Sequence, residues 1–484
     1  MTNSLPLHFL ASASSGGSGG HEHTLLLVLV QISIIIVVAR VAAIAFRKIG
    51  QPAVVGEIFA GLILGPSLFG KLAPNAFHAV FNPQVAPIFE VLAQLGLIFL
   101  LFLIGLEFDF SHLKTNSRAA LSISVAGVVL PFLLGFGLAH WLHLYLAPPL
   151  PMADMPILGN IVSTVIPPYI ERYVPITGFS LFMGTAMSIT AIPILGRMMM
   201  ELNITRTRLG AITITAAAID DASGWILLAA VSALVTSAFS PIKTVQMIGL
   251  TLGFALLMAI VVRPLLARWI HWSLKRGQGE LGVNALAILF IVLFLCAVAT
   301  SLIGIFAIFG AFILGAVLSG EHEFRDAVGR QLRNFITVFF LPIFFTYTGL
   351  RTDVGSLSSG TMWIFAGLVS AAAIIGKFGG CATAARFSGF TGRESACVGV
   401  MMNTRALMEL IVINVGYNLG VIPKSVFCML VMMALLTTIM TTPILLRTMR
   451  GTELEVHITG SGFARPLPAP PPEPPVETLA AGGI

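Results

Sequence analysis

The chain has 484 residues, of which 57% are hydrophobic and only 10% are charged, and its mean hydropathy is +0.96. Soluble domains carry about 25% charged residues, so this composition excludes a soluble protein and indicates a chain that crosses a membrane many times. The net charge is +6, but the basic residues are scattered between apolar runs. Because they form no basic stripe with interleaved aromatic residues, the charge does not predict nucleic-acid binding.

In chain order, we predict a flexible N-terminal tail over 1–23, a transmembrane domain over 24–450, and a polar, then proline-rich, cytoplasmic tail over 451–484. A helix needs about 20 residues to cross roughly 30 Å of hydrocarbon. Thirteen apolar runs fit this length. They are 24–46, 53–70, 88–106, 119–146, 176–200, 209–238, 242–267, 282–302, 304–320, 334–350, 362–385, 395–417 and 425–446. The predicted fold class is therefore an all-α polytopic membrane protein.

The connections between these runs differ in charge. One alternate set, together with the segment after the last run, holds seventeen lysines and arginines, whereas the other set holds five. Basic residues concentrate on the cytoplasmic side of membrane proteins. The sequence therefore predicts an N-terminus outside and a C-terminus in the cytoplasm. The four cysteines lie in apolar runs without CxxC spacing and are predicted to be packing residues.

The sequence contains an internal repeat. IFAGLILGPSLFG at 58–70 matches IFGAFILGAVLSG at 308–320 at seven of thirteen positions. A second match follows the first in both halves of the chain: GLEFD at 105–109 corresponds to GLRTD at 349–353. Each pair lies seven spans apart. Because seven is odd, the two copies have opposite orientations in the membrane. Inverted repeats of this kind are typical of secondary transporters, which bind their substrate near the midplane at broken helices.

Spans five and twelve correspond to each other in this repeat, and both are predicted to be broken. Span five reads TAMSITAIPILG, in which Pro193 removes a backbone donor and Ser188 and Thr190 offer hydroxyl groups. A simple proline kink is the alternative. Span twelve places Asn403, Arg405 and Glu409 in a segment that should be buried. Unwound backbone beside a carboxylate is suited to holding a monovalent cation by its oxygens.

Two adjacent aspartates, Asp220 and Asp221, lie within TAAAIDDASGW in the sixth span. Each ionised aspartate at the centre of a span costs roughly 2.5 to 3.5 kcal/mol on insertion scales, so a carboxylate there indicates function. Burial favours the neutral acid, a nearby ammonium favours the ionised form, and a cation competes with the proton for the same oxygens. Competition of this kind is the basis of exchange.

Five ordered motifs make the chain resemble the cation/proton antiporter superfamily, in its second, largely bacterial branch of sodium or potassium/proton exchangers. They are IGQPAVVGEIFAGLILGPSLFG, SITAIPILGRMMMEL, AAAIDDASGW, LPIFFTYTGLRTD and MNTRALMELIVINVG. The resemblance implies a thirteen-helix fold with two inverted repeats and broken crossing helices. It also implies an elevator-like core domain moving against a dimerisation domain, a homodimer, and a place in the bacterial inner membrane.

The resemblance also implies roles for single residues. Asp221 would bind the cation or a proton, Asp220 would be the partner acid found in many electrogenic members, and Lys377 would pair with Asp220. Arg405 and Glu409, four residues apart, are predicted to form a pair with each other that is structural more than ion-binding. Glu57 matches the family's GE motif, but an interfacial carboxylate explains it equally well. No cofactor and no resident metal are predicted.

Other functional classes share parts of this pattern. An intramembrane aspartyl protease also buries two aspartates, but it takes them from two helices and carries GxGD, which is absent here. An ungated or ligand-gated potassium efflux protein of the same branch is a nearer alternative. Such proteins commonly carry a nucleotide-binding domain and replace the first acid. An ion-coupled symporter is the third alternative. The sequence has no HExxH motif or P-loop, so we predict that the protein is not an enzyme.

Overall fold

The computed structural model describes residues 19–107, 117–146, 176–202, 204, 207–237, 240–277 and 280–455. Both predicted tails lie largely outside these residues, so the domain boundaries stay predictions. The described part is helical and contains no strand. A polypeptide in lipid must satisfy its backbone hydrogen bonds internally, which makes helices the natural outcome for these apolar runs.

Every predicted span corresponds to one helix or one broken helix. We number them α1 to α13: α1 (Gly19–Lys48), α2 (Ala53–Leu64), α3 (Ala86–Glu107), α4 (Ser117–Leu146), α5a (Ile176–Ser188) with α5b (Ile192–Glu201), α6 (Arg208–Thr236), α7 (Pro241–Leu257, a π-turn at Met258–Val262, then Arg263–Arg276), α8 (Val283–Ile303), α9 (Ala307–Leu318), α10 (His322–Phe335, a π-turn at Ile336–Phe340, then Leu341–Arg351), α11 (Gly360–Phe387), α12a (Gly392–Met402) with α12b (Leu407–Asn418), and α13 (Lys424–Thr448).

The tenth helix is longer than its apolar run predicted. It begins at His322, whereas the apolar run begins at residue 334, because the added residues form an amphipathic helix. Phe324, Ala327, Val328 and Leu332 are buried on one face, and the charged residues occupy the other. A count of apolar residues misses such a segment, whereas a search for helical periodicity finds it. Among the described residues ten helices are long and apolar enough to cross a membrane, or eleven with the bent α12 pair, and α5a and α9 are shorter apolar helices.

The helices pack in two groups that have the same internal pattern. In the first group α2 packs against α10, and α3 packs against α9; in the second, α4 packs against α5a and α11 packs against α12a. The repeat relates α2 to α9, α3 to α10, α4 to α11 and α5 to α12. The contact of α2 with α10 therefore corresponds to that of α9 with α3, and the contact of α4 with α5a corresponds to that of α11 with α12a. This agreement confirms the inverted repeat. The aspartates of α6 belong to the second group.

Two glycine contacts show the symmetry at atomic detail. Gly65 and Gly315 occupy the same position of the first sequence match, and Gly105 and Gly349 the same position of the second. A Cβ atom on Gly65 would lie 2.8 Å from the carbonyl oxygen of Gly349, and one on Gly315 would lie 2.9 Å from Cα of Gly105. Glycine at these positions allows the backbones of paired helices to touch, as small residues do in membrane interfaces.

We expect Gly315→Ala to destabilise the protein. Its new Cβ would lie 2.3 Å from the backbone carbonyl oxygen of Phe102, which cannot move without shifting α3. Overpacking of this kind costs about 1 to 3 kcal/mol. Gly367→Ala in α11 is the matched control because its Cβ would meet nothing within 4 Å. Thermal unfolding in detergent measures both variants. Equal melting temperatures would contradict the close contact of α3 with α9.

Candidate functional site

The two broken helices cross at their interruptions, as predicted. The chain is non-helical between α5a and α5b and between α12a and α12b, and the two halves of α12 are bent by 44°. The backbone N–H of Ala191 donates to the carbonyl oxygen of Thr404 (3.0 Å), and Thr190 Oγ1 donates to the carbonyl oxygen of Met402 (2.9 Å). Some of the backbone groups that lose their helical hydrogen bonds at the two interruptions are therefore satisfied by hydrogen bonds across the crossing.

The interruption in α12 ends at Ala406, the one non-glycine residue with positive φ (101°) in the described chain. An alanine side chain disfavours this conformation, and such strain costs on the order of 1 to 3 kcal/mol. Strain of this kind persists only where the surrounding structure imposes it. The sequence gives no sign of it, because alanine is a good helix former.

Asp220 on α6 is held by a lysine from α11. Lys377 Nζ lies 2.6 Å from Asp220 Oδ2 and also donates to the backbone carbonyl oxygen of Ser188, the last residue of α5a. The Asp220 and Lys377 side chains are completely buried. Since a buried charge needs a close partner, this ammonium joins three helices at one point. The predicted pair of Asp220 and Lys377 is thus in contact, and the backbone of Ser188 joins it.

Asp221 has a different environment from its neighbour. Its side chain is also completely buried, yet neither of its carboxylate oxygens has a well-formed hydrogen bond to the described residues, and the nearby indole N–H of Trp225 interacts with the carboxylate only weakly. Asp220 Oδ1 and Asn403 Oδ1 likewise have no hydrogen bond to the described residues. Buried polar atoms are almost always paired. Unpaired buried oxygens beside a helix break are therefore an arrangement that suits a bound cation or a proton.

Arg405 binds to the backbone of two other helices. Its Nη1 donates to the carbonyl oxygen of Ala186 in α5a and its Nη2 to that of Ala373 in α11, both at 3.2 Å. Its Nη1 also lies 3.7 Å from Glu409 Oε1, and both side chains of this pair are completely buried. Sequence reasoning found the pair but missed Ala186 and Ala373, because a backbone acceptor leaves no signal in residue type.

The charges of this site do not balance by themselves. We define the buried charge cluster as three carboxylates, Asp220, Asp221 and Glu409, with two basic side chains, Lys377 and Arg405. Asp220 accepts a hydrogen bond from Lys377, Arg405 donates to a backbone carbonyl oxygen, and Glu409 forms an ion pair with Arg405. When all five groups are ionised, three acids against two bases leave one negative charge. One monovalent cation or one proton would neutralise it.

The other predicted site residues lie in two places. Ser188 and Thr190 are buried at the interruption of α5, where the Ser188 hydroxyl donates to the carbonyl oxygen of Thr185 at 2.9 Å. Each hydroxyl oxygen still has acceptor capacity. Glu57 lies elsewhere: its Oε1 is 3.7 Å from Arg40 Nη1 of α1, outside the buried charge cluster. The Glu57 side chain is only 4% exposed, so it is a buried, ion-paired carboxylate, and its role stays a prediction.

Comparison with known proteins gives matches over most of the chain. Residues 33–448 match the family model described as sodium/hydrogen exchanger, transmembrane. The Na(+)/H(+) antiporter NhaS4 of Synechocystis is 36% identical over 417 residues, which cover 85% of this chain and 94% of that protein. The K(+)/H(+) antiporter 1 of Saccharomyces cerevisiae is 31% identical over 410 residues, covering 84% of this chain and 46% of that longer protein.

A solved structure has the same fold. The sodium proton antiporter MjNhaP1 of Methanocaldococcus jannaschii superposes with a TM-score of 0.58, covering 88% of this chain and 99% of that one, at 16% sequence identity. At this identity the likeness concerns the fold alone. The family model and the relatives, which cover more than four fifths of the chain, carry the assignment. The chain belongs to the transmembrane sodium/hydrogen exchanger family.

Proposed function

We propose that this protein exchanges a monovalent cation, Na⁺ or K⁺, for protons by alternating access, and that Asp221 is the group that binds either of them. The observation that carries the proposal is the unpaired, fully buried carboxylate of Asp221 in a cluster with one excess negative charge. Such a carboxylate is stable when it is protonated or when a cation neutralises it. Alternate occupation by these two partners couples the movement of one to that of the other.

The neighbouring oxygens supply further ligands for the cation. Asn403 Oδ1 is unpaired, and Ser188 and Thr190 present hydroxyl oxygens at the crossing. Carboxylate, amide and hydroxyl oxygens bind hard cations. One relative is named for sodium and another for potassium, so both ions are candidates. The Arg405–Glu409 pair has a structural role in this proposal, because Arg405 fixes the crossing through two carbonyl oxygens.

Reconstitution into liposomes with a trapped pH dye tests this function. An outward or inward gradient of NaCl, KCl or LiCl is imposed in turn, and the internal pH is followed. Exchange predicts a pH change whose sign reverses with the gradient. Potassium flux without proton movement would instead indicate an efflux protein, and proton movement that requires an organic solute would indicate a symporter.

We propose that the protein lies in the bacterial inner membrane as a homodimer, with its N-terminus outside and its C-terminus in the cytoplasm. The seventeen-to-five distribution of basic residues supports this orientation. The dimer is what the family resemblance implies, and native mass spectrometry of the detergent-solubilised protein would test it. A monomer as the sole species would refute the dimer.

The orientation predicts which introduced cysteines an impermeant reagent reaches. Cysteine at Gly329 in α10 should react only from the cytoplasmic side, and cysteine at Ser358 before α11 only from outside. The four native cysteines are buried and give little background. Labelling of intact cells and of inverted vesicles measures both positions. The reverse pattern would mean that the charge distribution has been assigned to the wrong sides.

A further inference from the structure

A cavity of about 80 Å³ lies between α3, α9, α10 and α12b. We call it the outer cavity, since α10 and α12b both end beside it at the side proposed to face outward. Ile98, Ile308, Phe344 and Ile411 form its apolar part. Phe309, which follows Ile308, packs edge-on against the ring of Trp225 at a centroid distance of 5.9 Å. Trp225 lies one helical turn from Asp221 towards that same side, so one layer of packed rings separates the outer cavity from the buried charge cluster.

Arg351, the last residue of α10, lies at the wall of the outer cavity and contacts two other helices and a ring of its own helix. Its Nη2 lies 3.1 Å from Glu90 Oε1 on α3, and its Nη1 donates to Asn418 Oδ1 at the end of α12b (2.8 Å). Its guanidinium carbon also lies 4.3 Å from the centre of the Tyr347 ring. We call Arg351, Glu90 and Asn418 the Arg351 bridge. A guanidinium can serve several acceptors at once because it carries five donors in a fixed plane.

The Arg351 bridge joins α12b to helices of the other packing group. The helix α12b carries Glu409 in its first turn and Asn418 at its end, and it continues from the crossing that surrounds Asp221. By contrast, α3 and α10 belong to the group that packs through Gly65, Gly105, Gly315 and Gly349. In the proposed alternating access, the outer side would open as α12b moves away from α3 and α10. That movement breaks the contacts of Arg351 to Glu90 or to Asn418.

We propose that the Arg351 bridge is the outer gate of the transporter: it holds the outer cavity closed while the cluster around Asp221 is accessible from the opposite side. The proposal rests on the proposed exchange by alternating access. Charge-assisted hydrogen bonds are stronger than neutral ones. The Arg351 side chain is 18% exposed and that of Glu90 36%, so water can compete once the helices begin to part. The contacts of a gate must be strong enough to keep the cavity closed and weak enough to break in each transport cycle.

The test measures how fast a reagent enters the outer cavity. Ala93 lies one turn after Glu90, lines the cavity and is 3% exposed, so Ala93→Cys places a thiol inside it. A charged thiol reagent is added to protein in nanodiscs, where both faces are accessible and the result does not depend on orientation. We expect Arg351→Gln to raise the labelling rate of this cysteine by about tenfold or more, the factor that corresponds to one charged hydrogen bond.

Two further variants make the result specific. Glu90→Gln removes the α3 partner of the same ion pair and should also raise the labelling rate. It tests the gate independently if Arg351→Gln does not fold. Lys71→Gln removes one positive charge at the same end of the bundle, where Lys71 is exposed and has no ion pair among the described residues. It should leave the labelling rate unchanged. The protein without Ala93→Cys serves as the blank.

A charge exchange provides the rescue. Glu90→Arg alone should open the cavity by repulsion, whereas Glu90→Arg with Arg351→Glu restores an opposite-charge pair and should lower the labelling rate again. Equal rates in Arg351→Gln, Glu90→Gln and Lys71→Gln would overturn the gate. Exchange by the unsubstituted protein in liposomes is measured separately. A gate effect on labelling without any exchange would refute the proposed function, whereas exchange without an effect on labelling would refute the gate alone.

Discussion

Asp221→Asn is expected to abolish cation-driven proton movement, reducing it to the level of liposomes without protein. Asparagine has nearly the same shape but neither binds a proton in this pH range nor neutralises a cation. The variant should remain folded and be at least as stable, because an unpaired carboxylate is costly to bury. Proton flux driven by a sodium or potassium gradient measures the effect. Near-normal exchange by folded Asp221→Asn protein would refute the assignment.

Cation binding can be tested apart from transport. A cation that binds only the folded state raises its stability, by about 2.7 kcal/mol at a concentration one hundred times the dissociation constant. The unsubstituted protein should therefore show a rise in melting temperature with NaCl or KCl that choline chloride does not produce, and Asp221→Asn should show no such rise. Asp326→Asn is the control, since it makes the same chemical change at an exposed carboxylate. A cation-dependent rise that persists in Asp221→Asn would place the cation elsewhere.

Membership of the exchanger family confirms that the protein is a transporter and not an enzyme, so the interpretation as an intramembrane protease is wrong. The site agrees with this conclusion. Asp220 and Asp221 follow each other on one helix, and a lysine binds only the first. The two acids therefore cannot share one water symmetrically, as the catalytic pair of an aspartyl protease must.

The fold could be predicted from the sequence because the membrane allows few structures. Apolar length fixes where helices run, and the two short matches, which include Gly65, Gly105, Gly315 and Gly349, relate the halves. The breaks at Thr190 and Asn403 followed from polar residues and a proline at corresponding places. The charged first half of α10 escaped this reasoning, since hydropathy alone does not report an amphipathic helix at the membrane surface.

The site was less predictable than the fold, because sequence separation hides its contacts. The adjacent acids and the family resemblance indicated Asp220 and Lys377, but the second partner of the ammonium is the backbone of Ser188, which any residue would supply. Arg351 was visible within the GLRTD match and as one charge in a sparsely charged connection, but neither indicated its partners. Its bridge to Glu90 and Asn418 depends on how α3, α10 and α12b approach, which is a tertiary property.

The pair of Asp220 and Lys377 makes the exchange electrogenic in our proposal. When Asp220 is ionised it holds the Lys377 ammonium at 2.6 Å. The pair is released when Asp220 gains a proton or when Lys377 loses its proton during the cycle. Two coupled units, this pair and Asp221, can then each take up or release a proton while the site binds one monovalent cation. More than one proton can therefore move for each cation. A membrane potential does about 2.3 kcal/mol of work per charge per 100 mV. The potential should therefore shift the point at which exchange stops.

The double variant Asp220→Asn with Lys377→Gln is expected to shift the protein towards electroneutral one-for-one exchange. It removes one negative and one positive charge, so the buried charge cluster keeps its single excess carboxylate, Asp221. The matched control is Asp353→Asn with Lys424→Gln, which neutralises a partly exposed Lys–Asp pair of 3.1 Å. This control should leave the voltage dependence of exchange as it is, because neither side chain belongs to the cluster.

The deciding measurement is the cation gradient that just balances a fixed pH gradient in liposomes whose membrane potential is clamped with a permeant ion. If n protons move for each monovalent cation, the net charge moved per cycle is n − 1, so the balance point depends on voltage unless n is one. We expect the unsubstituted protein and the surface-pair control to show a voltage-dependent balance point and the double variant a voltage-independent one. A balance point that ignores voltage in the unsubstituted protein would mean that one proton moves per cation. Lys377 would then have a purely structural part, holding α5a, α6 and α11 together through Ser188 and Asp220.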